Sequence, residues 1–189
     1  TPGQNAKSTP FRLPVITLGG NIMPESKIPT GTTVPPGPVE PWHSLVPRRP
    51  LGSTGLKVSV LGLGGFHQLE ISTDYVQQLV DLYLEAGGNY IETARGYGAG
   101  SSERKLGRIL RGRRDQVVLV SKTGQRTAEG AWRELNESLE ALQTDYLDVL
   151  LYHGLTQAEE IEIIARPGGA AEAFARAREE GMIRFVGAS

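Results

Sequence analysis

Four side chains in this sequence could together hand a proton to a carbonyl oxygen, and three of them close or directly follow an apolar run. Glu92 closes Tyr90–Glu92, Lys122 follows Val117–Ser121, and His153 follows Tyr146–Tyr152. The fourth, Tyr97, stands between Gly96 and Gly98 in the loop after the first of these runs. Flanking glycines have no Cβ and tolerate positive φ, so backbone or ligand can come close to the ring. A free phenol, with a pKa of about 10, gives up its proton reluctantly at neutral pH. A nearby ammonium favours the phenolate, and Lys122 is the residue to supply it. A carboxylate at Glu92 can keep that lysine charged and oriented. His153 can orient a carbonyl oxygen or relay a proton to it. The set suits protonation of a carbonyl oxygen while a hydride, drawn from a cofactor, arrives at carbon.

Taken singly, each residue has a plainer explanation. A lysine often marks a strand end, a histidine is often a hydrogen-bonded structural residue, a loop tyrosine needs no role, and a glutamate is often an ion-pair partner. Their recurrence at successive strand ends makes them a constellation.

The elements that must carry them are legible from periodicity. Residues 1–47 are rich in Pro, Gly, Ser and Thr, with Pro35, Pro36, Pro38 and Pro41 close together. Such a segment buries too little apolar surface to offset its ordering entropy, and it reads as an arm or linker. The domain is expected over 48–189. Leu51–Leu56 reads as a hairpin turn with Gly55 at a turn position. Val58–Leu63 reads as a strand followed by Gly64 and Gly65. Ser72 or Thr73 caps a helix with Val76, Leu79, Val80, Tyr83 and Leu84 on one face. Tyr90–Ala94 is the next strand. Ser101 or Ser102 is placed to cap a helix running to Arg111, with Glu103 favourable against its N-terminal dipole. Strand Val117–Ser121 precedes a helix capped by Thr127, on which Trp132 reads as core. Strand Tyr146–Tyr152 precedes a short helix from Thr156 with Glu159 completing a capping box. Helix Ala170–Glu180 and strand Ile183–Val186 follow. Arg108, Arg111, Arg113 and Arg114 read as cations complementing a helix C-terminus before Gly112.

Strands recur roughly every thirty residues with helices between, the mark of parallel βα units. Their near-continuous apolar character means that both faces are covered. A doubly wound sheet and a (β/α)8 barrel both fit. Chemistry on several consecutive strand ends favours the barrel. About five strands fit in 189 residues. The fold class expected is therefore α/β, of the (β/α)8 TIM-barrel type, with only about the first five βα units present. The chain begins at Thr1 and stops at Ser189 directly after a strand, and both ends read as cut or processed.

Bulk properties narrow the function classes. A net charge of −1 gives no electrostatic reason to expect nucleic acid or an anionic membrane. The absence of cysteine removes disulfides, thiolate metal sites and a cysteine nucleophile, and fits a reducing compartment such as the cytoplasm. No apolar run approaches the roughly 18 residues of a membrane span. Val15–Leu18 is too short for a signal peptide, although a leader removed upstream of Thr1 is compatible with the sequence. Gly96-x-Gly98-x-x-Ser101 imitates a dinucleotide-binding loop. It lacks the third glycine, and Lys122 stands where an acidic residue belongs.

These residues together resemble the aldo-keto reductase family, over about 49–189. Leu51-Gly-Ser-Thr-Gly-Leu-Lys-Val-Ser-Val-Leu-Gly-Leu-Gly64 is similar to its N-terminal hairpin and first barrel strand. Glu92-Thr-Ala, Tyr97 and Ser102-Glu103-x-x-Leu106-Gly107 resemble its Asp-Thr-Ala, Tyr and Ser-Glu-x-x-Leu-Gly signature. Lys122 and His153 match its catalytic lysine and histidine. Gly187-Ala-Ser189 resembles the end of its fifth strand, whose serine lies near the nicotinamide carboxamide. The resemblance implies NADPH-dependent reduction of a small-molecule aldehyde or ketone. Tyr97 would be the general acid, Lys122 would ease its proton release, and His153 would orient the carbonyl. Gly64, Gly65 and Ser189 would lie against the cofactor, and no metal is implied. The wording around Glu92 and after Pro167 also resembles a subgroup in which a C-terminal extension can carry an iron–sulfur cluster.

Glu92 departs from the family's aspartate. The extra methylene moves the carboxylate by about a bond length, and a misplacement near 1 Å can cost about a hundredfold in rate. The pair with Lys122 is expected to survive, with catalysis weakened. The resemblance also places most contacts to the cofactor's phosphates on later strands, so this chain is expected to bind NADPH poorly and to expose apolar surface at its last strand. Two other readings stand beside the reductase. One is an NADP(H)-binding sensor without turnover. The other is a lyase or isomerase using Lys122 as a Schiff-base amine.

Overall fold

The computed structural model describes residues 45–189. Apart from its last three residues, the arm expected over 1–47 lies outside the described residues. The described chain opens with the backbone N–H of Val46 donating to Ala86 O (2.9 Å). Strands β1 (Arg48–Pro50) and β2 (Lys57–Ser59) then pair antiparallel as the expected hairpin. Its loop is closed by Leu51 N–H donating to Leu56 O (2.9 Å).

The run expected as one strand over Val58–Leu63 is two. Strand β2 ends at Ser59 and β3 is only Leu63–Gly64. The break has a polar cause. The Tyr83 hydroxyl lies 2.6 Å from Ser59 Oγ, 2.7 Å from Leu61 O and 2.9 Å from Tyr90 O. Ser59 Oγ itself donates to Leu61 O (2.8 Å). Apolar patterning carries no trace of this knot, because its partner sits on a helix far along the chain.

Helix α1 (Thr73–Glu85) is capped by Ser72, whose hydroxyl accepts from Tyr75 N (3.3 Å). Strand β4 (Tyr90–Glu92) leads to helix α2 (Ser101–Ile109), and β5 (Val118–Thr123) to α3 (Ala128–Leu142). Thr127 caps α3 as expected, accepting from Gly130 N (3.2 Å). Strand β6 (Leu147–Tyr152) is followed by α4 (Ala158–Ala165), α5 (Ala170–Glu179) and β7 (Ile183–Ala188).

Several local expectations need correction. Helix α2 is entered through Gly100 at φ 81°, not capped by a serine. Ser102 faces inward, where its hydroxyl takes a hydrogen bond from Thr93 Oγ1 (2.8 Å) and donates to Gly65 O (3.1 Å). Glu103 is fully buried. It accepts from Ser121 Oγ (2.7 Å) and pairs with Arg95 (3.4 Å), rather than serving mainly the helix dipole. The capping box of α4 is made by Gln157 and Glu160, not Thr156 and Glu159, with Glu160 accepting from Thr156 N (2.9 Å) and Gln157 N (3.2 Å). Trp132 does pack against the main core as expected, half-buried, with the Arg176 guanidinium over its ring at 3.7 Å. In the arginine cluster, Arg113 donates to Ile109 O (2.8 Å) as a helix-end cation should. Arg114 instead crosses to the buried Asp148 (2.8 Å).

The five strands β3 to β7 form one parallel sheet in sequence order. A doubly wound sheet reverses direction at a switch point, and this one does not. Helices cover its outer face over Ile91, Leu119 and Leu150, each essentially inaccessible. Burying a side chain of that kind contributes about 1.5–3 kcal/mol. On the inner face Val118, Val120 and Val149 form a second cluster with Tyr90, Leu151 and Phe185. The hairpin's Leu51, Leu56 and Val58 pack against it. Alternation along each strand therefore puts Tyr90 with Glu92, Val120 with Lys122, and Leu151 with His153, all on the inner face. On the outer face, Val186 of the edge strand β7, in register with Leu150, is exposed.

Candidate active site

Backbone ladders fix the site before side chains do. Past the end of β4 the pairing continues: Thr93 N–H donates to Val120 O (2.9 Å) and Arg95 N–H to Lys122 O (3.0 Å). The chain then turns, with Tyr97 N–H donating to Ala94 O (3.0 Å), and this returns the Tyr97 ring over Lys122. His153 is tied across β5 by its N–H to Thr123 O (3.0 Å). Arg126 holds the same loop, donating to His153 O (2.8 Å) while it pairs with Glu160 (2.8 Å).

Lys122 is the centre, with only 3% of its surface exposed. Its ammonium has three protons and three acceptors: Glu92 Oε1 (2.9 Å), Tyr97 Oη (3.0 Å) and Thr93 O (3.1 Å). Because Lys122 donates to the phenol oxygen, the phenol's own proton is free to be given outward. The Tyr97 ring stands between two others, edge-on to Phe66 (5.1 Å between centroids) and to His153 (5.6 Å). Burial, then the charges of Lys122 and Arg126, hold the His153 imidazole below its ordinary pKa. At neutral pH it is therefore an uncharged ring with one N–H to donate.

Glu92, Tyr97 and Lys122 are brought within hydrogen-bond reach, and His153 joins them by ring contact. Glu92 reaches Lys122 despite its extra methylene, so that pair forms as expected. Gly64 lies at the adjoining strand end, exposed, and a Cβ there would meet nothing within 4 Å. Gly65 is buried, and a Cβ there would strike Ser102 Oγ and come 2.9 Å from Thr93 Oγ1. Ser189 is exposed beyond β7, its hydroxyl accepting from Gly154 N (3.2 Å). Sequence reasoning missed Phe66, Arg126 and Tyr90. Tyr90 donates its hydroxyl to Glu92 Oε2 (2.9 Å). Only Tyr90 carried a signal, since strand alternation puts it on the face of Glu92.

The sequence pattern of the aldo/keto reductase family matches residues 60–189. The chain belongs to this family. It is a family of oxidoreductases, and the five parallel strands are βα units of its (β/α)8 barrel. An uncharacterized oxidoreductase of Bacillus subtilis, YqkF, is 31% identical over 154 residues, covering 75% of this chain and 48% of the relative. A putative aldo-keto reductase from Pseudomonas aeruginosa superposes with a TM-score of 0.70 at 33% identity, over 80% of this chain and 61% of that one. An aldo/keto reductase from Klebsiella pneumoniae, solved with NADP and acetate, superposes with a TM-score of 0.59 at 33% identity, over 71% and 46%. The chain thus spans about half the length of the curated relatives it matches. Among the described residues no helix is long and apolar enough to cross a membrane.

Proposed function

We propose that the protein reduces an aldehyde or ketone with NADPH, and that Tyr97 is the acid that protonates the carbonyl oxygen. The observation that carries this reading is the Lys122 ammonium held at 2.9 Å from Glu92 and 3.0 Å from Tyr97. Beside this set the strand-end glycines Gly64, Gly124 and Gly154 leave open space, since a Cβ at any of them would meet nothing within 4 Å. A nicotinamide ring would lie over these strand ends, with the exposed Ser189 hydroxyl on the β7 side. The backbone at Gly64 and the Ser189 hydroxyl would hold it, and Gly65 would keep the first strand end close to α2. The cofactor would supply the hydride.

The chain's own residues manage the proton. Neutral His153 donates to the carbonyl oxygen and fixes its direction. Tyr97 gives that oxygen its proton. The resulting phenolate then lies against the Lys122 ammonium, which Glu92 holds in place at 2.9 Å. A Schiff-base role suits Lys122 poorly, because its amine is engaged by Glu92, Tyr97 and Thr93 O and only 3% of its surface is exposed to a substrate. The sensor reading draws on Glu92 standing where the family has an aspartate; the Glu92–Lys122 pair at 2.9 Å supports the reductase instead.

The test is NADPH oxidation by the full-length protein over a panel of aldehydes and ketones, wild type beside Tyr97→Phe. Loss of the general acid should lower kcat by about 10²–10⁴-fold. Turnover unchanged in the variant would overturn the reading. NADPH binding without turnover on any carbonyl would replace it with the sensor.

A further inference from the structure

Both oxygens of Glu92 are used. Oε1 takes the Lys122 ammonium at 2.9 Å, and Oε2 takes the Tyr90 hydroxyl at 2.9 Å. Tyr90 lies two residues earlier on the same strand face, and its hydroxyl reaches along the strand to the acid. The tyrosine is itself well fixed. Its ring packs in the inner cluster, and its backbone N–H meets Tyr83 Oη (3.0 Å) and Ser59 Oγ (3.2 Å). A Cβ on Gly62 would touch its Cδ1 at 3.0 Å, so that glycine makes room for the ring. Burial and the Glu92 carboxylate hold the phenol's pKa above its ordinary value, so Tyr90 stays a neutral donor across the working pH range.

We propose that Tyr90 is a positioning residue for the reductase reaction, holding the longer acid Glu92 in the orientation that keeps Lys122 against Tyr97. This rests on the function proposed above. A glutamate has one more rotatable bond than the family's aspartate, and a carboxylate with one oxygen free can swing off the ammonium. The Tyr90 hydroxyl removes that freedom by occupying the second oxygen. It touches neither the reacting carbonyl nor the cofactor, and it acts only through Glu92. An aspartate at 92, drawn back by about a bond length, could not span both partners that Glu92 holds at 2.9 Å, and the charged ammonium would keep it in preference to the neutral phenol.

The test is a double-mutant cycle on the full-length protein with Tyr90→Phe, Glu92→Asp and the pair, reading kcat and KM separately. Tyr90→Phe should lower kcat about tenfold with KM for NADPH and carbonyl within about twofold. In the Glu92→Asp background the same change should cost less than about twofold, because the hydroxyl no longer has its partner. Equal losses in both backgrounds, or none in either, would overturn the proposal; a merely structural tyrosine would give equal losses. A second readout does not depend on catalysis. The ¹⁵N signal of the Lys122 ammonium, sheltered from exchange by its three partners, should broaden in Tyr90→Phe. An unchanged signal would sink the positioning role. If wild type shows no turnover, the reductase reading fails, and the ammonium signal still decides what Tyr90 does.

Discussion

His153 offers a check that needs no substrate. Its imidazole is held below the ordinary value of about 6.5 by burial and by Lys122 and Arg126. As pH falls, the unfolded chain therefore takes up the proton first, and the folded state loses stability from about pH 6.5 downward until the folded imidazole titrates. His153→Gln removes that contribution. The difference in thermal midpoint between wild type and variant should be flat above about pH 7.5 and move in the variant's favour below about pH 6.5. A difference that stays flat through acid pH would mean that the ring is not desolvated as described. At this scale the sequence was most legible, because Glu92, Lys122 and His153 sit at strand ends that apolar runs announce. Tyr97 was marked by its flanking glycines. Phe66 and Arg126 were not legible. Phe66 meets Tyr97, and Arg126 meets His153, across about thirty residues of intervening chain, and no local pattern encodes that.

Among the elements, the crossing of α2 and α3 depends on one missing side chain. A Cβ on Gly107 would collide with the carbonyl oxygen of Ala141 and lie 2.8 Å from Leu142 Cα, all backbone and unable to yield. Gly107→Ala should cost about 3 kcal/mol in denaturant unfolding, despite the better helix propensity of alanine. A neutral or stabilising result would show that the helices can part without cost. The loop between β3 and α1, which carries Phe66, depends on Lys105. Its ammonium donates to Gln68 O (2.9 Å), Leu69 O (3.1 Å) and Ile71 O (2.7 Å). Lys105→Met should make residues 66–71 the first site of proteolytic nicking while global stability falls by only about 1 kcal/mol. Each of the five helices and the strands β4 to β7 had a signal in the sequence, while β2 and β3 were read as one strand. The errors fell where polar side chains act at a distance: Ser59 with Tyr83 split a strand, and Ser102 turned inward instead of capping.

In the molecule as a whole, the two ends of the sheet carry different duties. Glu92, Lys122 and His153, with Tyr97 in the loop after β4, lie toward the C-terminal strand ends. Toward the other end, Asp148 is 2% exposed and accepts from Leu119 N (2.9 Å), Arg114 (2.8 Å) and Arg184 (3.0 Å), joining β5, β6 and β7. Asp148→Asn leaves Arg114 without its counter-charge and should cost about 3 kcal/mol. The kcat of the folded fraction should stay unchanged, since a barrel separates stability from chemistry by face. A fall in kcat at full occupancy of the fold would contradict that separation. The recurring βα interval was legible but fitted a doubly wound sheet as well as a barrel; chemistry on consecutive strand ends chose the barrel, and the sheet's sequence-ordered strands agree. What the hairpin covers was not legible, because Leu51, Leu56 and Val58 find their partners only after the sheet has formed.

The contact of Tyr90 with Glu92 also bears on the order in which such a site can be assembled. A hydroxyl gained at position 90 beside an aspartate has nothing to hold and costs little. A glutamate gained at 92 beside a phenylalanine leaves a loose acid under the lysine. Only the path that takes the tyrosine first keeps every intermediate working. Returning Glu92 alone to aspartate would then lead back through that same tyrosine–aspartate pairing, with the hydroxyl idle and the lysine still held.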